Sequence, residues 1–172
     1  MKRILVSMAA VLAFGLWGCD LLGGNYCVSN VCTCPEGETC GMTCEEGSCS
    51  AVCGKDSECT VDCSNSDDCD VVCGTAKSCD VTCKGGTSCN VECSSVETCK
   101  VGCGAEGDCN TVCTSATTSC DVACDTATTC QASCPATGCK ATDCDTSNTT
   151  ACAVTCGTSG TATQSGADAV CE

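Results

Sequence analysis

The sequence predicts an all-β fold: a disulfide-stapled tandem-repeat domain in the form of a narrow β-solenoid, with a chain of disulfide-linked β-hairpins as the alternative. Three observations predict it. Twenty-nine of the 172 residues are cysteine, a density that marks a disulfide scaffold. From position 49 the cysteines recur with a period of ten. Within each repeat, cysteine and a small apolar residue alternate with polar residues, the period-two signature of a strand with one buried face.

Composition removes several functions. After position 18 there is no Ile, Phe or Trp, and the only aromatic is Tyr26, so an oily core cannot hold the chain together. The chain has no histidine, which excludes Ser-His-Asp and Cys-His catalysis and imidazole metal ligands. Net charge is −15, and without Lys2 and Arg3 five lysines face 22 acids. Such a surface repels phosphate backbones, so nucleic acid is not an expected partner. No phosphate-binding loop, nucleophile elbow or metal-ligand motif is present. The paired acids Glu45-Glu46 and Asp67-Asp68 sit in turn-like segments and read as solvated. The expectation is a protein that is not an enzyme and carries no cofactor.

Along the chain, residues 1–18 come first. Met1-Lys2-Arg3 is a short basic start, and Ile4 to Trp17 is a mostly apolar run too short to span a bilayer as a permanent helix. It ends in Leu16-Trp17-Gly18-Cys19, which resembles the lipobox of bacterial lipoproteins. Leu16, Gly18 and Cys19 match that pattern, while Trp17 is bulkier than the small residue usual there. The resemblance implies a cleaved signal peptide and an acylated Cys19, carrying a thioether-linked diacylglycerol and a palmitate-type chain on its amine. Membrane lipid would then be a partner, and several acyl chains anchor stably. The location implied is the bacterial cell envelope. Setting Cys19 aside leaves 28 cysteines, an even number as a fully bridged scaffold requires.

Residues 19–26 read as a tether, and residues 27–48, with irregular Cys27, Cys32, Cys34, Cys40 and Cys44, as an N-terminal cap. The array spans 49–134 as C-x3-C-x5 units: Cys49/Cys53, Cys59/Cys63, Cys69/Cys73, Cys79/Cys83, Cys89/Cys93, Cys99/Cys103, Cys109/Cys113, then Cys120/Cys124 and Cys130/Cys134 after one inserted residue. The middle position reads Ala51, Val61, Val71, Val81, Val91, Val101, Thr111, Val122 and Ala132. Links such as Gly74 to Ser78 and Lys84 to Ser88 hold turn residues. Residues 135–156, with Cys139, Cys144, Cys152 and Cys156, are degenerate repeats. Residues 157–172 are Ser/Thr/Gly/Ala-rich and disordered by composition, with Cys171 pinning them back to the body.

Geometry limits the pairing. Two cysteines four apart on a strand lie about 13 Å apart, whereas a disulfide requires Cα atoms within about 7 Å. Each must therefore reach a neighbouring turn or close a C-x5-C link, as Cys53 to Cys59 would. The second arrangement resembles the coil-spanning bridges of the beetle antifreeze β-solenoids, whose repeats are slightly longer. A Thr-x-Thr ice-binding ladder is missing, because the strand positions mix Asp, Asn, Lys and Thr.

Two ion-binding arrangements stand beside the structural reading. Asp70 and Asp80 share a repeat position, and Asp62 and Glu92 also project from the polar face. Aligned carboxylates in stacked turns could hold Ca²⁺. Reduced cysteines could bind a soft metal, although an export signal points to an oxidising compartment and disulfides. The expected function is a rigid acidic surface module, a spacer or an adhesive, with any envelope partner unspecified and no metal ligand assigned.

Overall fold

The computed structural model describes residues 26–86, 88–104, 107–114, 117–144, 152–158 and 160–171. The expected signal segment, Cys19 and residues 20–25 of the tether lie outside the described residues.

The chain winds as a two-sided β-solenoid. Sheet 1 contains, in spatial order, β1 (Cys27–Val28), β2 (Val31–Cys34), β4 (Ser48–Cys53), β6 (Asp68–Val72), β8 (Ser88–Cys93), β10 (Asp108–Cys113), β12 (Thr129–Cys134), β14 (Cys152–Cys156) and β15 (Gly160–Thr161). Sheet 2 runs β3 (Thr39–Thr43), β5 (Glu58–Asp62), β7 (Ser78–Cys83), β9 (Thr98–Cys103), β11 (Ser119–Ala123), β13 (Cys139–Thr142), β17 (Asp168–Cys171) and β16 (Thr163–Ser165). Successive ten-residue units therefore alternate between sheets, and one coil consumes two units. The pairs β2/β3 to β12/β13 make six coils.

Neighbouring coils pair in parallel and in register, Cys69 beside Cys89 and Cys79 beside Cys99. Antiparallel pairing is confined to the two ends, so the hairpin-chain alternative does not describe the array. The ladder continues through the links: Lys77 N–H donates to the Ser57 carbonyl at 2.8 Å, and Ser95 N–H to that of Gly74 at 3.0 Å. This pairs backbone groups that a corner would otherwise leave unsatisfied.

Strands of the array, such as β7, β8 and β9, bury both cysteines and the residue between them while the intervening positions face out. The core is consequently two facing columns. Ala51, Val71, Val91, Thr111 and Ala132 come from sheet 1, and Met42, Val61, Val81, Val101, Val122 and Ala141 from sheet 2. Parallel stacking of identical β-branched side chains suits this narrow space.

The links contribute to the core as well. Ser57, Ser66, Ala76, Val96 and Thr117 point inward and are buried. The polar ones satisfy themselves on backbone: Ser57 Oγ donates to the Gly54 carbonyl at 2.7 Å and Thr117 Oγ1 to that of Cys93 at 2.6 Å. At Gly86 the backbone has φ +101°, and a Cβ there would collide with the carbonyl oxygens of Ser66 and Asp67 on the preceding coil. Only glycine fits that approach.

The C-terminal segment corrects the expectation of a disordered tail. Residues 160–171 contain β15, β16 and β17: β15 and β17 pair antiparallel onto the last parallel strands of the two sheets, and β16 pairs antiparallel with β17. Ala169 is buried, and Lys140 Nζ meets Asp168 Oδ2 at 3.0 Å. Composition misjudged this segment because it has few apolar side chains of its own. It orders by closing sheet edges, which stacked repeats require at their ends.

Candidate functional site

The chemistry-bearing residues predicted from sequence are the cysteines and the exposed acids, and the fold places them very differently. Because the cysteines flank the central residue of every strand, the last cysteine of one strand meets the first cysteine of the next across the corner. Every C-x5-C link thus closes on itself, and bridging between neighbouring turns is not the pairing found.

The bridges form two ladders, one along each edge. One edge carries Cys34–Cys40, Cys53–Cys59, Cys73–Cys79, Cys93–Cys99, Cys113–Cys120, Cys134–Cys139 and Cys156–Cys171. The other carries Cys44–Cys49, Cys63–Cys69, Cys83–Cys89, Cys103–Cys109, Cys124–Cys130 and Cys144–Cys152, while Cys27–Cys32 joins the antiparallel pair β1/β2, with Cys32 beside Ala51 in the central column. Apart from Cys27–Cys32 at 3.9 Å, Cα separations run from 5.5 to 6.5 Å. All 28 cysteines after Cys19 are thereby paired.

Sulfurs of successive bridges touch, Cys44 to Cys63 at 3.6 Å and Cys73 to Cys93 at 3.7 Å. Trios such as Cys73, Cys93 and Cys99 have their sulfurs within 4.8 Å of one another. Spacing alone would suit a soft metal, but a disulfide sulfur carries no thiolate charge to donate.

The acids are dispersed. A twenty-residue coil puts Asp70 on sheet 1, in a column with Ser50 and Asn90, and Asp80 on sheet 2, between Thr60 and Lys100. Asp62 stacks between Thr43 and Thr82 on sheet 2, and Glu92 between Val72 and Val112 on sheet 1. The four carboxylates singled out for Ca²⁺ therefore occupy four separate columns. Among the described residues, the trios of close ligand atoms are all cysteine sulfurs.

Two groups have shifted acidity. Ser64 donates to Asp62 Oδ1 through its hydroxyl at 2.5 Å and its backbone N–H at 3.0 Å. These bonds hold the Asp62 carboxyl below its ordinary range, with partial burial opposing and Lys84 assisting. The ion pair from Lys77 Nζ to Glu58 Oε1, at 2.6 Å across adjacent coils, raises the lysine.

Sequence reasoning treated all units as equivalent and so missed the difference between the faces. On sheet 2 the central outward column reads Thr60, Asp80, Lys100, Asp121, Lys140, alternating in charge. On sheet 1 it reads Ser50, Asp70, Asn90, Asn110, Gln131, with Asn90 Nδ2 donating to Asp70 Oδ1 at 3.0 Å. Comparing every second unit would have exposed the distinction. The inward link residues were legible in part: Ser66, Ala76 and Val96 share the third link position, whereas Ser57 and Thr117 sit at the fourth. Comparison with family models, curated proteins and solved structures finds no match.

Proposed function

We propose that this chain is a non-catalytic, lipid-anchored protein of the bacterial cell envelope, whose exported part is a rigid acidic module used as a spacer or adhesive surface. The observation carrying this reading is the complete pairing of 28 cysteines into disulfides, nearly all of them at the corners. It leaves Cys19, the residue of the lipobox-like Leu16-Trp17-Gly18-Cys19, outside the scaffold. Disulfides in such number belong to an oxidising, non-cytoplasmic compartment. Six parallel coils at about 4.8 Å each give a rod roughly 30 Å long, cross-linked at every corner and lacking a long flexible link among the described residues. Such a body suits holding a surface at a fixed distance, and its bridged corners offer a protease little extended backbone.

Intact mass of the exported protein, before and after reduction and alkylation, tests the reading. Acyl chains on Cys19, no alkylation before reduction and 28 sites after it are the expected result. Free thiols with co-purifying zinc or copper would overturn it and make metal handling the function.

A further inference from the structure

The two faces are built from one repeat yet differ chemically. Among the described residues, the large exposed apolar side chains, Val28, Val31, Val52, Val72 and Val112, all lie on sheet 1. No strand of that sheet contains Lys or Arg. Sheet 2 interleaves Lys100 and Lys140 with Asp80 and Asp121 in its central column, which offsets part of its acidity. On sheet 1, Asp70 and Glu92 accept hydrogen bonds from the neutral Asn90 and Ser94 side chains, and the ion pairs among the described residues involve neither. Val72, Glu92 and Val112 follow one another in a single column beside a shallow groove of about 460 Å³ that Asp70, Asn90 and Asn110 also line.

We propose that this face docks a cationic amphipathic helix of a partner protein, lying along the solenoid axis. The charge requires a cation, and the spacing selects a helix. Adjacent strands are about 4.8 Å apart, so Val72 and Val112 are separated by nearly 10 Å with the Glu92 carboxylate midway. Helix residues i, i+3 and i+7 share one stripe at rises of about 4.5 and 10.5 Å. An apolar–basic–apolar triplet at those positions matches valine, glutamate and valine, whereas an extended segment repeats on one face about every 6.7 Å and falls out of step. A second copy is a poor occupant, because face-to-face contact would oppose like charges at Asp70 and Glu92.

The proposal deepens the adhesive side of the reading above, and its test is independent of the mass measurement. The oxidised protein is titrated with a fluorescein-labelled 18-residue helical peptide carrying Leu, Arg and Leu at i, i+3 and i+7. A scrambled peptide of the same composition serves as control. The patterned peptide should bind, and D70N/E92Q should weaken it about tenfold, as should V72S/V112S, while the sheet 2 pair D80N/D121N changes it by less than about twofold. Equal binding of the scrambled peptide, equal loss in the sheet 2 variant, or no binding at all would each overturn the proposal. The rigid-module reading would still stand if the mass shows full pairing and acylation.

Discussion

Replacing Thr111 with valine should make the protein more stable. Thr111 occupies the central core column of sheet 1 between Val91 and Ala132, is 0% exposed, and its Oγ1 has no hydrogen-bond partner among the described residues. Enclosing an unpaired hydroxyl costs about 1–3 kcal/mol in proteins. A methyl of nearly the same shape removes that cost and adds apolar burial worth about 0.8 kcal/mol. A gain of about 2 kcal/mol follows, and with a guanidinium slope of about 2–4 kcal/mol/M the midpoint should rise by about 0.5–1 M. The assay is guanidinium unfolding with the disulfides intact, followed by far-ultraviolet circular dichroism. The reverse substitution, Val91→Thr one coil earlier, should lower the midpoint by a similar amount. An unchanged or lower midpoint in Thr111→Val would mean the hydroxyl is satisfied in the folded protein, and the reasoning would fail.

Other predictions test the remaining parts of the fold. Gly86→Ala forces a Cβ into the Ser66 and Asp67 carbonyls at positive φ and should cost at least about 1–3 kcal/mol in the same unfolding assay. Full reduction should abolish the β signal, since each corner bridge closes a short loop worth roughly 2–3 kcal/mol and the remaining core is one small residue per strand. A retained spectrum would contradict that. Cys156→Ser with Cys171→Ser should speed amide exchange in 160–171 and leave β7 and β9 protected, because that bridge holds only the cap. Asp62 has a lowered folded pKa, so its contribution is present above the ordinary 3.8 and is lost as pH falls through the folded value. Ser64→Ala should move its titration midpoint upward by nuclear magnetic resonance, and a midpoint that stays put would remove the hydroxyl as the cause.

By itself, the sequence determined the strand content and which side chains face inward. In a C-x-V-x-C unit the side-chain period of two admits one burial pattern, and the strands show it. It also limited the disulfides to two arrangements, since cysteines at the ends of one strand are too far apart to join. Tertiary structure decided between those two, because only the corner brings Cys53 within 6.2 Å of Cys59 by Cα. It decided that a coil contains two units, which sends Asp70 and Asp80 to opposite faces and separates carboxylates that share a repeat position. It ordered the C-terminal segment as well, whose composition offers little apolar surface but whose backbone pairs with the open edges of both sheets. Side-chain periodicity is local and can be read along the chain. How many units close a coil depends on how the corners turn, and that emerges only when distant backbones stack.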